Sequence, residues 1–262
     1  MIAGVCNLYT NKSTVQEMAK LFGTPATYRF NAPADVYPQY PGIVVREDQG
    51  QRILQQMTWG FPHHSTNRRT GKPNKPTATN NARDDKLWTI WRQWFTDPAQ
   101  RCLIPFTSFA EAEGEPGKMT RTWIRVADQP LAAWAGLWRP TDEWGDAYTG
   151  VMVDATKELW DIHDRMPVIL PAEAHDAWLR ADADEAIKLV TQYPASQLVA
   201  ERTDEPWFAR KAKPAPPLAR PARQRLRKPA VAMVAPHIAG DHCHRDYLLP
   251  HSQLTGRVVA SG

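Results

Sequence analysis

The chain has 262 residues, 42% of them hydrophobic and 23% charged, the balance of an ordinary globular protein. Its apolar runs fall far short of the roughly 20 residues of a membrane helix. Its start lacks the basic, apolar, small-residue pattern of a secretory leader. Its three cysteines, Cys6, Cys102 and Cys243, cannot build a disulfide framework, which points to a reducing cytosol. The net charge of +4 hides a split: residues 210–262 hold ten Lys/Arg against two Asp, and the body before them holds 22 against 26. Nucleic-acid binding by the body therefore has to come from local patches.

In chain order, Ser13/Thr14 followed by Gln16/Glu17 is a helix-start signature and Gly23 a stop. Val15, Met18 and Phe22 would share one face of that helix. Residues 42–47 and 53–61 are rich in β-formers and predict strands. Residues 62–80 carry Arg68, Arg69, Lys72 and Lys75 with no acid, and their composition predicts a loop. It is either a flexible surface insertion or a basic flap over a nucleic-acid groove. Trp88, Trp91 and Trp94 recur at steps of three, which predicts an amphipathic helix over 85–95 with the rings in the core. Strands are expected at 101–106, 121–127, 131–138 and 148–154, and two short helices at 172–180 and 183–191, the first entered after Pro171.

Strands outnumber helices and short turns separate most of them. That predicts an α+β fold with antiparallel sheets in a barrel-like arrangement rather than βαβ units. The catalytic body is expected at 6–209, with 1–5 lying ahead of it. From 210 the chain turns basic and proline-rich and is expected to be a disordered tail, either without a role or attracted to phosphate backbones. His242-Cys243-His244 lacks a second ligand pair at structural-zinc spacing, so no metal site is expected.

The residues that could do chemistry are Cys6 in CNLY, Asn81 and Arg83 in NAR, Glu111 in CLIPFTSFAEAEG, and His163 and Arg165 in HDRMPVIL. Singly each is weak, since a lone cysteine is usually a small hydrophobe. In the order CNLY, TWG, NAR, CLIPFTSFAE, HDRMPVIL they resemble the SOS response-associated peptidase (SRAP) family, the abasic-site processing proteins. The resemblance runs from about Val5 to about residue 205.

The resemblance implies that Cys6 becomes the first residue of the mature protein and presents an α-amine beside a thiol. An abasic deoxyribose opens to an aldehyde. The amine condenses with it and the thiol closes a thiazolidine ring, which cross-links protein to DNA. An α-amine of pKa about 7.7–8.0 suits this step far better than a lysine, and a thiol supplies the second nucleophile. The resemblance further implies that Glu111 shuttles protons, that His163 assists opening of the sugar, and that Asn81 orients it. Arg83 and Arg165 would grip phosphates, with a structural ion pair as the plain alternative for Arg165, and Trp59 would lie along the DNA, with core packing as its plain alternative. Ala112 replaces the aromatic residue usual after this glutamate, and Glu113 would face the same side of a strand as Glu111. Arg68 and Arg69 join the expected DNA-binding set. No cofactor is required. The expected partner is single-stranded DNA containing abasic sites, the location cytoplasmic, and the acting form a monomer.

Five residues precede Cys6. Either the chain cuts its own Val5–Cys6 bond, or translation starts at Val5 from a GTG codon and yields Met-Cys-Asn-Leu-Tyr. Two further readings remain open at this level: a cysteine peptidase acting on other proteins through Cys6, His163 and Glu111, and a non-catalytic single-strand binding module. Strand cleavage by β-elimination from the Schiff base is also chemically accessible.

Overall fold

A computed structural model describes residues 6–207. The expectations for 1–5, for the tail from 210 and for His242-Cys243-His244 lie outside the described residues.

Strand β1 (Leu8–Thr10) follows Cys6 after one residue, Asn7. Helix α1 (Val15–Phe22) begins where the sequence marks it: the Glu17 N–H donates to the Thr14 hydroxyl, and the Thr14 N–H donates to the Glu17 carboxylate, two otherwise unpaired donors satisfied at once. Gly23 ends it at φ 66°. After β2 (Asp35–Val36), strands β3 (Pro41–Asp48) and β4 (Gln51–Trp59) form a hairpin in unbroken register from Pro41↔Thr58 to Asp48↔Gln51. Gln49 and Gly50 both take positive φ at its tip, the turn whose twist suits paired strands.

The strand expected over 53–61 breaks at Gly60, at φ 108°, where Ala78 packs against the backbone and leaves no room for a Cβ. Beyond the break the expected loop is a β-hairpin: β5 (Phe61–His63) pairs with β6 (Thr77–Thr79), and Thr66 bridges Pro73. Composition predicted a loop because the Asn, Gly, Pro and Lys residues belong to the hairpin's turn. There Asn67 Oδ1 accepts from the N–H groups of Arg69 and Thr70. Strand β7 (Asn81–Arg83) follows.

The helix expected over 85–95 is reduced to a 3-10 turn at Asp84–Lys86 and α2 (Arg92–Phe95). Three tryptophans, Thr89 and Ile90 lose side-chain freedom in a helix, and α2 has no capping side chain. Trp91 is buried, Trp94 half-buried and Trp88 exposed, so the steps of three do not mark one buried face. Phe61 holds the inner pair together, with ring centroids 5.6 Å from Trp91 and 5.1 Å from Trp94.

The remaining strands are β8 (Arg101–Phe106), β9 (Ser108–Glu113), β10 (Thr120–Val126), β11 (Ala132–Thr141), β12 (Gly145–Asp154), β13 (Arg165–Pro167) and β14 (Ile169–Leu170). Short helices α3 (His175–Arg180) and α4 (Ala183–Ala186) each adjoin a 3-10 turn within the expected ranges, and β15 (Leu198–Pro206) closes the described chain.

Two main sheets result. One runs β15-β10-β9-β1-β2 and is antiparallel throughout. In the other, β12, β4, β3, β8 and β11 pair in succession, and β11 pairs back with β12. This is the mixed α+β architecture that the strand-rich pattern predicts, with one amendment: β12 runs parallel to both β4 and β7. The core between the sheets is aromatic. Tyr9, Trp59 and Trp134 meet edge to face with centroids 5.0 to 6.2 Å apart. The Tyr9 and Tyr148 hydroxyls are hydrogen-bonded to each other directly over Gly42, the one side chain small enough to sit there. Truncating a ring of this kind costs about 3–5 kcal/mol.

Candidate active site

Strand pairing brings the separated motifs together. β1 lies against β9 with Leu8 opposite Ala110, which brings the residues just ahead of β1 alongside Glu111, and the Cys6 N–H reaches its carboxyl. β7 runs along β12 with Asn81 opposite Gly150, and β13 pairs with the same strand with Arg165 opposite Asp154. The NAR and HDRMP segments therefore meet at one end of β12.

Cys6 is fully buried and sits at φ 26°, a region that residues with a Cβ seldom occupy and that costs about 1–3 kcal/mol. Three hydrogen bonds to its main chain hold it there. Its N–H donates to Glu111 Oε1 at 3.2 Å, and its carbonyl accepts from Asn80 Nδ2 at 3.0 Å and Asn81 Nδ2 at 3.2 Å. Burial, then the neighbouring Glu111 charge, push the Cys6 thiol well above its ordinary pKa.

Glu111 is 1% exposed. Burial drives its carboxyl well above the usual range, the charge of Asp164 adds to the rise, and the hydrogen bonds from Cys6 oppose it. Its Oε2 is buried without a hydrogen-bond partner among the described residues. Glu113 is engaged elsewhere: it accepts from the Thr122 hydroxyl at 2.6 Å and from Arg202 Nε at 2.9 Å. The register that sequence left undecided thus puts Glu111, not Glu113, against Cys6.

His163 follows a 3-10 turn (Lys157–Leu159) and accepts the Arg165 N–H on Nδ1 at 3.0 Å. Burial lowers its pKa, while Asp164, 3.0 Å from the same nitrogen, pulls it up. A neutral ring that accepts on Nδ1 carries its proton on Nε2. Among the described residues His163 bonds within its own loop rather than to Cys6 or Glu111.

The expected DNA contacts are placed differently. Trp59 is 0% exposed and offers no face to a ligand. Its indole needs a buried partner for its N–H and finds the Asn80 carbonyl at 3.1 Å, so it braces the strand end that holds Cys6. Arg165 is also buried, with Nη1 3.0 Å from Asp84 and 2.6 Å from Asp154 and Nη2 3.7 Å from Asp85. Arg83 is exposed and paired with Asp85. Arg68 and Arg69 are exposed in the β5–β6 turn. Sequence reasoning missed Asn80, whose only signal is adjacency to Asn81, and the Asp84, Asp85 and Asp154 carboxylates around Arg165.

A cleft of about 760 Å³ lies over Thr10, Ser108, Arg121 and Trp123, on the sheet face opposite the one bearing Glu111, and does not include Cys6. Among the described residues no cluster of His, Cys, Asp or Glu is arranged to hold a metal, and no helix is long and apolar enough to cross a membrane.

The site centres on a buried cysteine just ahead of the first strand, held by a buried carboxyl and two asparagine amides. The family described as SOS response associated peptidase (SRAP) matches residues 5–205, and the chain belongs to it. It is 34% identical over 110 residues to the abasic site processing protein YoqW of Bacillus subtilis (strain 168), covering 39% of this chain and 49% of that protein. The match to the abasic site processing protein YobE of the same organism is again 34% over 110 residues, 39% of this chain and 50% of the relative. The chain thus matches about half the length of these relatives. A protein of Bordetella bronchiseptica shares the fold at a TM-score of 0.62 and 28% identity, over 76% of this chain and 99% of its own. A Bacteroides thetaiotaomicron protein, at a TM-score of 0.61 and 19% identity over 75% and 91%, supports the fold alone.

Proposed function

We propose that this protein senses abasic sites in single-stranded DNA and traps them covalently, through a thiazolidine formed by Cys6. The observation that carries the reading is the 3.2 Å contact between the Cys6 nitrogen and the buried Glu111 carboxyl, which burial pushes well above the usual range. The names of the Bacillus relatives point to the same substrate.

The free α-amine arises by cleavage of the Val5–Cys6 bond or from a start at Val5. In its neutral form the amine adds to the aldehyde carbon of the ring-opened sugar. Glu111, holding a proton, gives it to the departing hydroxyl, and water leaves as the C=N bond forms. Sγ then adds to the same carbon and Glu111 takes the thiol proton. One C–N and one C–S bond have formed and one water has left. A raised carboxyl pKa suits both transfers, since the group must give and regain a proton near neutrality. His163, whose pKa burial lowers, assists opening of the sugar. Asn81 orients it, and Arg83 and Arg165 exchange their carboxylates for phosphates beside the lesion. The Schiff base also opens a route to strand cleavage.

Intact-mass spectrometry after incubation with a single-stranded oligonucleotide carrying one abasic site tests the reading. The expected species is the chain from Cys6 plus the oligonucleotide less one water. No adduct from protein shown to begin at Cys6 would overturn it.

A further inference from the structure

We propose that Asn80 is the positioning residue that keeps Cys6 aimed at the aldehyde once Cys6 is the first residue of the chain. This rests on the proposed function. The observation is a two-point hold: Asn80 Nδ2 donates to the Cys6 carbonyl at 3.0 Å and to Asn7 Oδ1 at 3.3 Å. The Asn80 main chain is itself fixed, because its carbonyl accepts from Trp59 Nε1 at 3.1 Å and from the Gly150 N–H at 3.1 Å. Asn80 is 8% exposed, so these bonds are sheltered from water.

The need for such a hold follows from the chemistry. A residue with a chain on both sides is tethered twice, whereas a terminal one is tethered once and frays. Ring closure requires the Cys6 nitrogen and Sγ to reach the same carbon, so free rotation of a terminal cysteine would dilute the productive geometry. Two amide donors on the Cys6 carbonyl replace the lost tether. They also divide the work: with Asn80 on the carbonyl, the Asn81 amide can turn to the sugar without releasing Cys6.

Two variants and two electrophiles test this, using chain that begins at Cys6 and runs to Gly262. Asn80→Ala deletes the amide, and Asn80→Asp keeps the shape while presenting acceptors to a carbonyl. The main-chain bonds to Trp59 and Gly150 survive in both. The first readout is single-turnover capture of an abasic oligonucleotide across DNA concentrations. The second is thiazolidine formation with glyoxylate, a small aldehyde that needs no DNA contact, followed by intact mass. Both variants are expected to lower the limiting capture rate by about tenfold, the worth of one buried hydrogen bond, with the half-saturating DNA concentration unchanged. The glyoxylate reaction should slow by a similar factor. Limiting and glyoxylate rates within twofold of wild type would overturn the inference. So would a raised half-saturating concentration at an unchanged limiting rate, because Asn80 would then be a DNA contact. Wild-type protein that reacts with glyoxylate but captures no DNA would sink the proposed function alone, and the glyoxylate rates would still judge Asn80.

Discussion

Cys6 and Cys102 are both fully buried, and in both burial pushes the thiol well above its ordinary pKa. Their surroundings differ. Cys102 lies on β8 within six consecutive buried residues, paired opposite Gly136 of β11, and its carbonyl accepts from Trp178 Nε1. Cys6 has Glu111 on its nitrogen, two asparagine amides on its carbonyl and a left-handed backbone. Burial alone makes a thiol inert. Cys6 combines burial with a carboxyl on its nitrogen and fixed amide donors on its carbonyl.

The largest expected effect separates the two cysteines. Cys6→Ala should abolish covalent capture of an abasic oligonucleotide, while Cys102→Ala should capture within about twofold of wild type, both read on a denaturing gel. Equal loss in the two variants would break the comparison.

Next comes Glu111→Gln, expected to slow capture by about 10²–10⁴-fold, the usual share of a positioned acid–base group. The same change should stabilise the fold. Burial raises Glu111 above its ordinary value of 4.5, so the folded chain keeps a proton that the unfolded chain gives up. Stability is therefore full below that value and falls as pH rises toward the folded pKa. Glu111→Gln has no such proton to lose. Its melting temperature should exceed wild type at pH 8, and the gap should close at pH 4. A gap that is absent or reversed at pH 8 would mean that Glu111 is ionised in the fold.

The smallest effect is on stability. Cys102→Ser puts a hydroxyl into apolar surroundings and should cost about 1–3 kcal/mol in a denaturant titration. Cys6→Ser should cost less, because the Leu8 carbonyl, 4.0 Å from Sγ, and Glu111 can receive the hydroxyl.

Much of this was legible in advance because it is local. Thr14, Glu17 and Gly23 act within a few residues of themselves, so helix α1 could be read to its ends. The β-rich runs at 42–47 and 101–106 could be read because strands buried on their faces stay apolar. The helix expected over 85–95 failed because tryptophans at helical spacing signal burial but cannot supply a cap or helix propensity. The loop expected over 62–80 failed because turn chemistry dominates a short hairpin's composition. Trp59 shows the limit at a single residue: an indole suits a core as well as a stacking face, and only its neighbours decide.

By itself the sequence determined the strand-rich class and the motif order that places the chain in its family, and it marked Cys6, Asn81, Glu111 and His163 as the candidates for one site. These rest on residue type and order along the chain. Only the tertiary structure decided that Glu111 rather than Glu113 meets Cys6, that Asn80 shares the hold on its carbonyl, and that Arg165 is buried among Asp84, Asp85 and Asp154. These contacts join groups 74 to 105 positions apart along the chain, Asp154 alone lying near Arg165 in sequence. Hydrogen bonds and desolvation act over a few ångströms of space, a distance that separation along the chain does not encode.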